Sequence, residues 1–232
     1  MNMDLLIKVN SQTTGRDKIA RFFQYGSRAG WYLLQNGETT RNSVDVLKSL
    51  EYTFSSFRKL LRFGRCLDSL YSALSTVKDP DLVIRFTVTF SRITNGLFLL
   101  ADHMIWIGRA GLFRINLEKW TTIANKYWLF TVVMNLVRDL YEIIQMIEQN
   151  SLGHSTKINL SAEKFLSRTS SCFKSHKGII LDTLKNGCDF FIPMTALGYT
   201  KLSPGTIGLL GLISSVVGLY CLVDPLAKLT PA

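Results

Sequence analysis

A run of nineteen residues without a charge, Gly205 to Val223, constrains this chain more than any other feature of its 232 residues. At ~1.5 Å rise per residue it forms a helix about 28 Å long, close to the hydrocarbon thickness of a bilayer. Lys201 precedes it and Asp224-Pro225 follows, so its ends turn polar or break where headgroups would begin. The buried helix of a soluble core satisfies the same length test. Four glycines, which weaken a water-exposed helix but suit close packing in lipid, favour the membrane. Gly211 with Ser215, and Ser214 with Gly218, stand four apart and form small-xxx-small steps that let a second helix approach.

The rest of the composition agrees with that reading. Twenty-seven basic against 17 acidic residues give a net charge of +10 beside a positive mean hydropathy of +0.17, a pairing that points to an anionic membrane surface. With 47% hydrophobic residues the chain is not disordered over most of its length, and only five prolines and 16 glycines favour long helices. Cys66, Cys172, Cys188 and Cys221 lie far apart with no C-x-x-C pair, so they read as reduced thiols. The N-terminus has no signal-peptide pattern.

Periodicity predicts helices over about 14–35, 44–77, 81–113, 120–149 and 172–191, with Asn36-Gly37, Asp79-Pro80 and Pro193 as stops. The fold class is therefore an all-α membrane protein: several long amphipathic helices, a C-terminal glycine-rich transmembrane helix and a candidate second span in the middle. Its regions are an N-terminal helical part (1–78), an apolar helical pair (79–149), a polar linker and helix (150–204), the span (205–223) and a short tail (224–232).

Two segments carry the functional reading. In the first, Leu50 to Leu67, a helical wheel gathers Leu50, Phe54, Phe57, Leu60, Leu61 and Leu67 on one arc and Lys48, Arg58, Lys59, Arg62 and Arg65 on the opposite one. Arg58 and Arg62, at i and i+4, repel one another in an isolated helix, and an anionic partner would offset that. Set against an anionic bilayer, each cation contributes on the order of 1 kcal/mol while the Phe and Leu arc enters the acyl boundary as a wedge. A bundle helix with a solvated basic face is the alternative.

The second segment, residues 93–113, is long enough to span but contains Asp102, His103 and Arg109. Asn95, Asp102 and Arg109 recur every seven residues and form one polar seam, which faces protein rather than lipid. Arg138 is the expected partner of Asp102. If two spans pack there, the same seam could line a pore or metabolite channel.

No catalytic constellation, metal-ligand spacing, phosphate loop or dinucleotide fingerprint is present, so no enzyme, cofactor or metal is expected. Nucleic acid is not expected either, because the helices beside the basic segment are too apolar for a soluble nucleic-acid domain.

Five blocks then resemble a known family: Gly15 to Tyr25, Phe57 to Gly64, Ala101 to Arg109, Val137 to Glu142, and Lys201 to Gly211. In register over nearly the whole chain, they look like the peroxin-11 family. That resemblance implies an integral peroxisomal membrane protein that elongates the organelle's membrane and promotes its fission and proliferation. It assigns the leaflet-inserting amphipathic helix to Leu50 to Leu67. It also implies homo-oligomers, fission adaptors and a dynamin-related GTPase as partners, and two spans (91–113 and 205–223) with the N-terminal region and the C-terminus in the cytosol. The intervening residues 114–204, with 11 basic and 7 acidic side chains, would then be lumenal, against the positive-inside preference.

Overall fold

The computed structural model describes residues 7, 9–35, 41–152 and 177–224, and among these the chain is all-α with no strand. Seven long helices follow one another: α1 (Thr13–Leu34), α2 (Arg41–Leu61), α3 (Arg65–Thr76), α4 (Leu82–Arg109), α5 (Leu117–Leu152), α6 (Lys177–Ala196) and α7 (Pro204–Val223). Most of the stretch read as a linker, with Cys172, lies outside the described residues, as does the tail beyond Asp224.

The helix ends follow from local chemistry. Asp81, after Pro80, accepts hydrogen bonds from the amides of Val83 (2.8 Å) and Ile84 (3.1 Å) and so starts α4. Ser203 accepts from the Thr206 amide, and Pro204 at the first helical position pre-sets φ for α7.

Two expected boundaries differ. The single helix expected over 44–77 is broken at Gly64, whose φ of 81° only glycine adopts without strain, giving α2 and α3. Periodicity misses this break because the apolar arc continues in phase across it. The stop expected at Pro193 is overridden: α6 runs on to Ala196 with Pro193 fully buried between its neighbours, so tertiary packing outweighs the missing amide.

Apart from α2 and α3, which do not touch one another, each helix packs against the next; α2 and α3 both pack on α4, and α7 returns to pack on α1. The described helices thus form a closed antiparallel ring. The last contact is made by the glycines of α7. Gly205 faces Tyr32, Gly208 faces Ala29, Gly211 faces Tyr25 and Gly218 faces Lys18, one antiparallel register along the whole helix. A Cβ on Gly208 would lie 2.6 Å from the backbone nitrogen of Ala29, so only glycine permits this approach.

Candidate functional site

The ring is polar inside and apolar outside. On α7, Leu209, Ile213, Val216 and Tyr220 form an exposed stripe; on α5, Phe130, Val137, Leu140, Ile144 and Ile147 do the same; α4 exposes Phe86, Phe90, Ile93 and Leu100. Facing inward, Asp102, Asp139, Arg138, Asn186 and Asp189 are buried, Asp139 completely. Water would reward the opposite distribution, whereas in lipid apolar side chains face out and ionisable ones pair within the bundle. Among the described helices only α7 is long and apolar enough to cross a membrane by composition alone, because the inward faces of the others carry charge.

The interior charges are satisfied in two groups. In the first, Arg58 donates to Asp17 (3.0 Å) and Gln24 (2.7 Å), Arg62 donates to Asp17 (3.0 Å) and Asp102 (2.9 Å), and Lys59 donates to Asp102 (2.7 Å). In the second, Arg138 pairs with Asp139 and Asp182, Asp182 also holds Lys185, and Asn186 donates to Asp139 at 2.7 Å. Arg21 joins α1 to α6 through Asp189 and lies near the Trp128 ring of α5.

The two sequence-predicted segments meet here. All three seam residues of α4 touch α2 or α3: Arg109 donates to Ser56 (3.0 Å) and lies over the Tyr52 ring, Asp102 binds Lys59 and Arg62, and Asn95 donates to Ser69 (3.0 Å). The partner expected for Asp102, Arg138, is engaged elsewhere; both lie inside, but Arg138 is taken by Asp139 and Asp182.

The basic arc is also placed differently from the sequence reading. Arg58 and Arg62 are buried, and Lys59 is paired inside rather than turned to lipid headgroups. The cause is the availability of Asp17 and Asp102, which α1 and α4 bring within reach and which no pattern within Leu50 to Leu67 reveals. The opposite arc is outward: Leu50, Phe57, Leu60 and Leu67 are exposed, joined by Phe63, while Phe54 is half-buried, stacked on Phe23 at 5.5 Å, and Leu61 is half-buried.

Ser214 and Ser215 are buried with the glycines, and Ser215 donates to the Gly211 carbonyl. The small residues of α7 therefore receive α1 of the same chain.

Inside the ring lie two voids, of about 340 and 630 Å³. They share Arg65, Asn95, Asn135 and Lys185 in their walls and so form one polar interior. Asn95, Asp102 and Arg109 all line the smaller void. Sequence reading missed Asp17, Arg21, Lys18 and Asp189 as members of this interior; the available signal was the charge of Asp189 within the apolar helix α6.

Comparison with known proteins agrees with this architecture of a membrane protein. The chain is 30% identical to human peroxisomal membrane protein 11B, covering 99% of this chain and all of the relative. It is 33% identical to bovine peroxisomal membrane protein 11A over 98% of this chain and 99% of the relative. A Dictyostelium discoideum homologue of peroxisomal membrane protein 11 is 28% identical over 94% of this chain and 93% of its own length. No solved structure matches. The family model described as peroxisomal biogenesis factor 11 (PEX11) matches residues 3–223, and the chain, with the outward apolar faces and inward charges of a membrane protein, belongs to that family, whose role is in peroxisome biogenesis.

Proposed function

We propose that this protein elongates and remodels the peroxisomal membrane, with the kinked α2–α3 segment as the element that expands one leaflet. One observation carries the reading: Leu50, Phe57, Leu60, Phe63 and Leu67 form an exposed apolar ridge that continues across the bend at Gly64. The ion pairs of Arg58, Lys59 and Arg62 hold that ridge outward, so the folded bundle, rather than a free helix, presents it. Inserted at the acyl boundary on one side only, such a ridge expands that leaflet and favours curvature. Exposed Lys48 supports attraction to an anionic phospholipid surface. Further copies of the chain, fission adaptors and a dynamin-related GTPase are the partners through which elongation would lead to fission, with the N-terminal region on the cytosolic side.

The test uses the full-length protein reconstituted into vesicles containing phosphatidylserine. Phe57→Asp combined with Phe63→Asp should abolish tubulation while leaving helical content unchanged, since both side chains are exposed. Equal tubulation by parent and variant would refute the leaflet-expansion reading.

A second reading, a small-solute pore, is favoured by the seam residues lining the interior void. Planar-bilayer conductance whose ion selectivity changes in Arg109→Gln would support it, and absence of conductance would count against it.

A further inference from the structure

We propose that the larger interior void is a binding site for a phosphate-bearing anion, with Lys18 and Arg65 as its unsatisfied cations. The void, about 630 Å³, has five basic side chains and two carboxylates in its wall. One of the two carboxylates, Asp182, is already occupied by both Arg138 and Lys185. The other, Asp68, is on the exposed side of α3. The side chains of Lys18 and Arg65 make no hydrogen bond or ion pair with any described residue, whereas every cation named in the two ion-pair groups above has a carboxylate partner.

Leaving two cations unpaired beside Lys185 and Arg138 in a partly desolvated space is costly unless something negative enters it. Among the described residues no carboxylate forms an ion pair with either Lys18 or Arg65.

The neutral groups of the wall suit an anion as well. Ser91 donates to the carbonyl oxygen of Asn135, which leaves the Asn135 amide nitrogen as a free donor. Arg65 opens α3, whose N-cap is Gly64, so no side chain caps its first amides and the positive end of its dipole borders the same wall. The set comprises ammonium, guanidinium and amide donors around a volume that admits more than an inorganic ion. That is the chemistry that holds a phosphate monoester or diester. A soluble phosphorylated compound and a lipid phosphate headgroup share it. The inference concerns the interior only and stands whether or not the outward ridge bends membranes.

The experiment uses the full-length protein in nanodiscs of neutral phosphatidylcholine, with inorganic phosphate and pyrophosphate titrated at constant ionic strength and tryptophan fluorescence reporting the thermal midpoint. Both probes should raise the midpoint saturably, and Lys18→Gln or Arg65→Gln should weaken the apparent affinity at least tenfold. Lys119→Gln, on an exposed residue of α5 outside both voids, should leave it unchanged. In a second arm, phosphatidic acid is added to the nanodiscs. A midpoint rise with that lipid but not with free phosphate, lost in the same two variants, assigns the site to a headgroup; the reverse assigns it to a soluble anion.

Without any anion, Lys18→Gln should keep or raise the midpoint, because it removes a charge the fold does not pair. A fall there would mean that the fold itself holds Lys18 and would overturn the proposal. So would the absence of any response to all three probes, or a response unchanged in Lys18→Gln and Arg65→Gln.

Discussion

Arg62 and Asp102 are joined at 2.9 Å, guanidinium Nη1 to carboxylate Oδ2, while the Nε of the same arginine reaches Asp17 at 3.0 Å. One cation, placed just beyond the end of α2, thereby ties α1 to α4 across the interior of the ring. Its own backbone carbonyl is engaged as well, lying 3.0 Å from the Nε2 of His103 on α4. The bend at Gly64 follows directly, so α3 departs from a point fixed by three helices.

Removing Asp102 alone should cost more than removing it together with both of its basic partners. Asp102→Leu leaves Lys59 without its carboxylate and Arg62 with only Asp17 in a buried setting, a change typically worth about 3–5 kcal/mol. Adding Lys59→Met and Arg62→Met should recover much of the loss, because the buried charge that lacked a partner is gone. Denaturant unfolding of the detergent-solubilised protein, followed by helical signal, gives both values. A triple variant no more stable than Asp102→Leu would show that Arg62 acts mainly through Asp17.

The α1–α7 contact makes a prediction about pairing within or between chains. Gly26→Cys with Leu212→Cys, in a background lacking the natural cysteines, should oxidise to a cross-link of monomer mass, because a Cβ on Gly26 would sit 3.6 Å from the Leu212 side chain with nothing closer in its way. Gly208→Leu should force α7 off α1 and cost about 1–3 kcal/mol or more, since the obstacle is backbone. A cross-link appearing only at dimer mass would assign the glycine face of α7 to another copy.

Gly64→Ala tests the bend separately. The space around Gly64 is open, so the penalty is conformational: alanine in the left-handed region costs about 1–2 kcal/mol. Gly64→Asn should cost less, because asparagine tolerates that region. Equal costs for the two would point to lost packing instead.

How much of this was legible in the sequence depends on the range of the determining contacts. Local signals mark the starts of α4 (Asp81) and α7 (Ser203 and Pro204), and Asn95, Asp102 and Arg109, spaced by seven, all line the smaller void. The identity of what the seam meets did not follow. Lys59 is 43 residues from Asp102, and Asp17 is 45 from Arg62, so nothing local distinguishes a basic arc awaiting lipid from one awaiting carboxylates. Direction was equally hidden. An amphipathic helix has the same periodicity whether its apolar side faces a core or a bilayer, and α5 shows the outcome: Leu140 and Ile147 are exposed and Arg138 and Asp139 buried.

Acid should weaken the start of α4 through Asp81. The Tyr141 hydroxyl donates to its carboxylate at 2.8 Å, and the Ile84 and Val83 amides add to this, holding Asp81 below the ordinary carboxylate range. A carboxyl depressed on folding stabilises the protein above its unfolded value of about 3.9, and that contribution is lost as pH falls through the lower folded value. Asp81→Asn should therefore lower the thermal midpoint at pH 7, and the gap to the parent should narrow progressively below about pH 4. Tyr141→Phe should shrink the gap at pH 7 and complete its narrowing at a higher pH, because the folded value moves toward the unfolded one. A gap independent of pH would assign the residue's role to its neutral cap geometry alone.

The arrangement of helix ends predicts which residues share a side of the membrane. Ser91 with Asn135, Thr94 with Thr131, and Phe98 with Trp128 set α4 and α5 antiparallel, so the turn after Arg109 is at the end of the ring opposite to Asp79 and Leu152. Trp128 packed on the cluster that holds Ile192, with Arg138 on Asp182 further along, sets α6 antiparallel to α5, which returns the chain to the Leu112 end before α7 begins. If the whole ring crosses the bilayer, single cysteines at Leu112 and Lys201 should label from one side with a membrane-impermeant maleimide. Cysteines at Asp79, Lys177 and Asp224 should label from the other. Lys177 decides the matter. Two spans alone, at 91–113 and 205–223, would put every residue from 114 to 204 on one side, so Lys177 would label together with Leu112 and Lys201. Labelling of Lys177 with Asp79 and Asp224 instead requires that α5 and α6 recross the membrane beside their partners, as their exposed apolar stripes and inward charges favour. Labelling of all five positions from the cytosolic side would mean that the ring rests on the membrane surface.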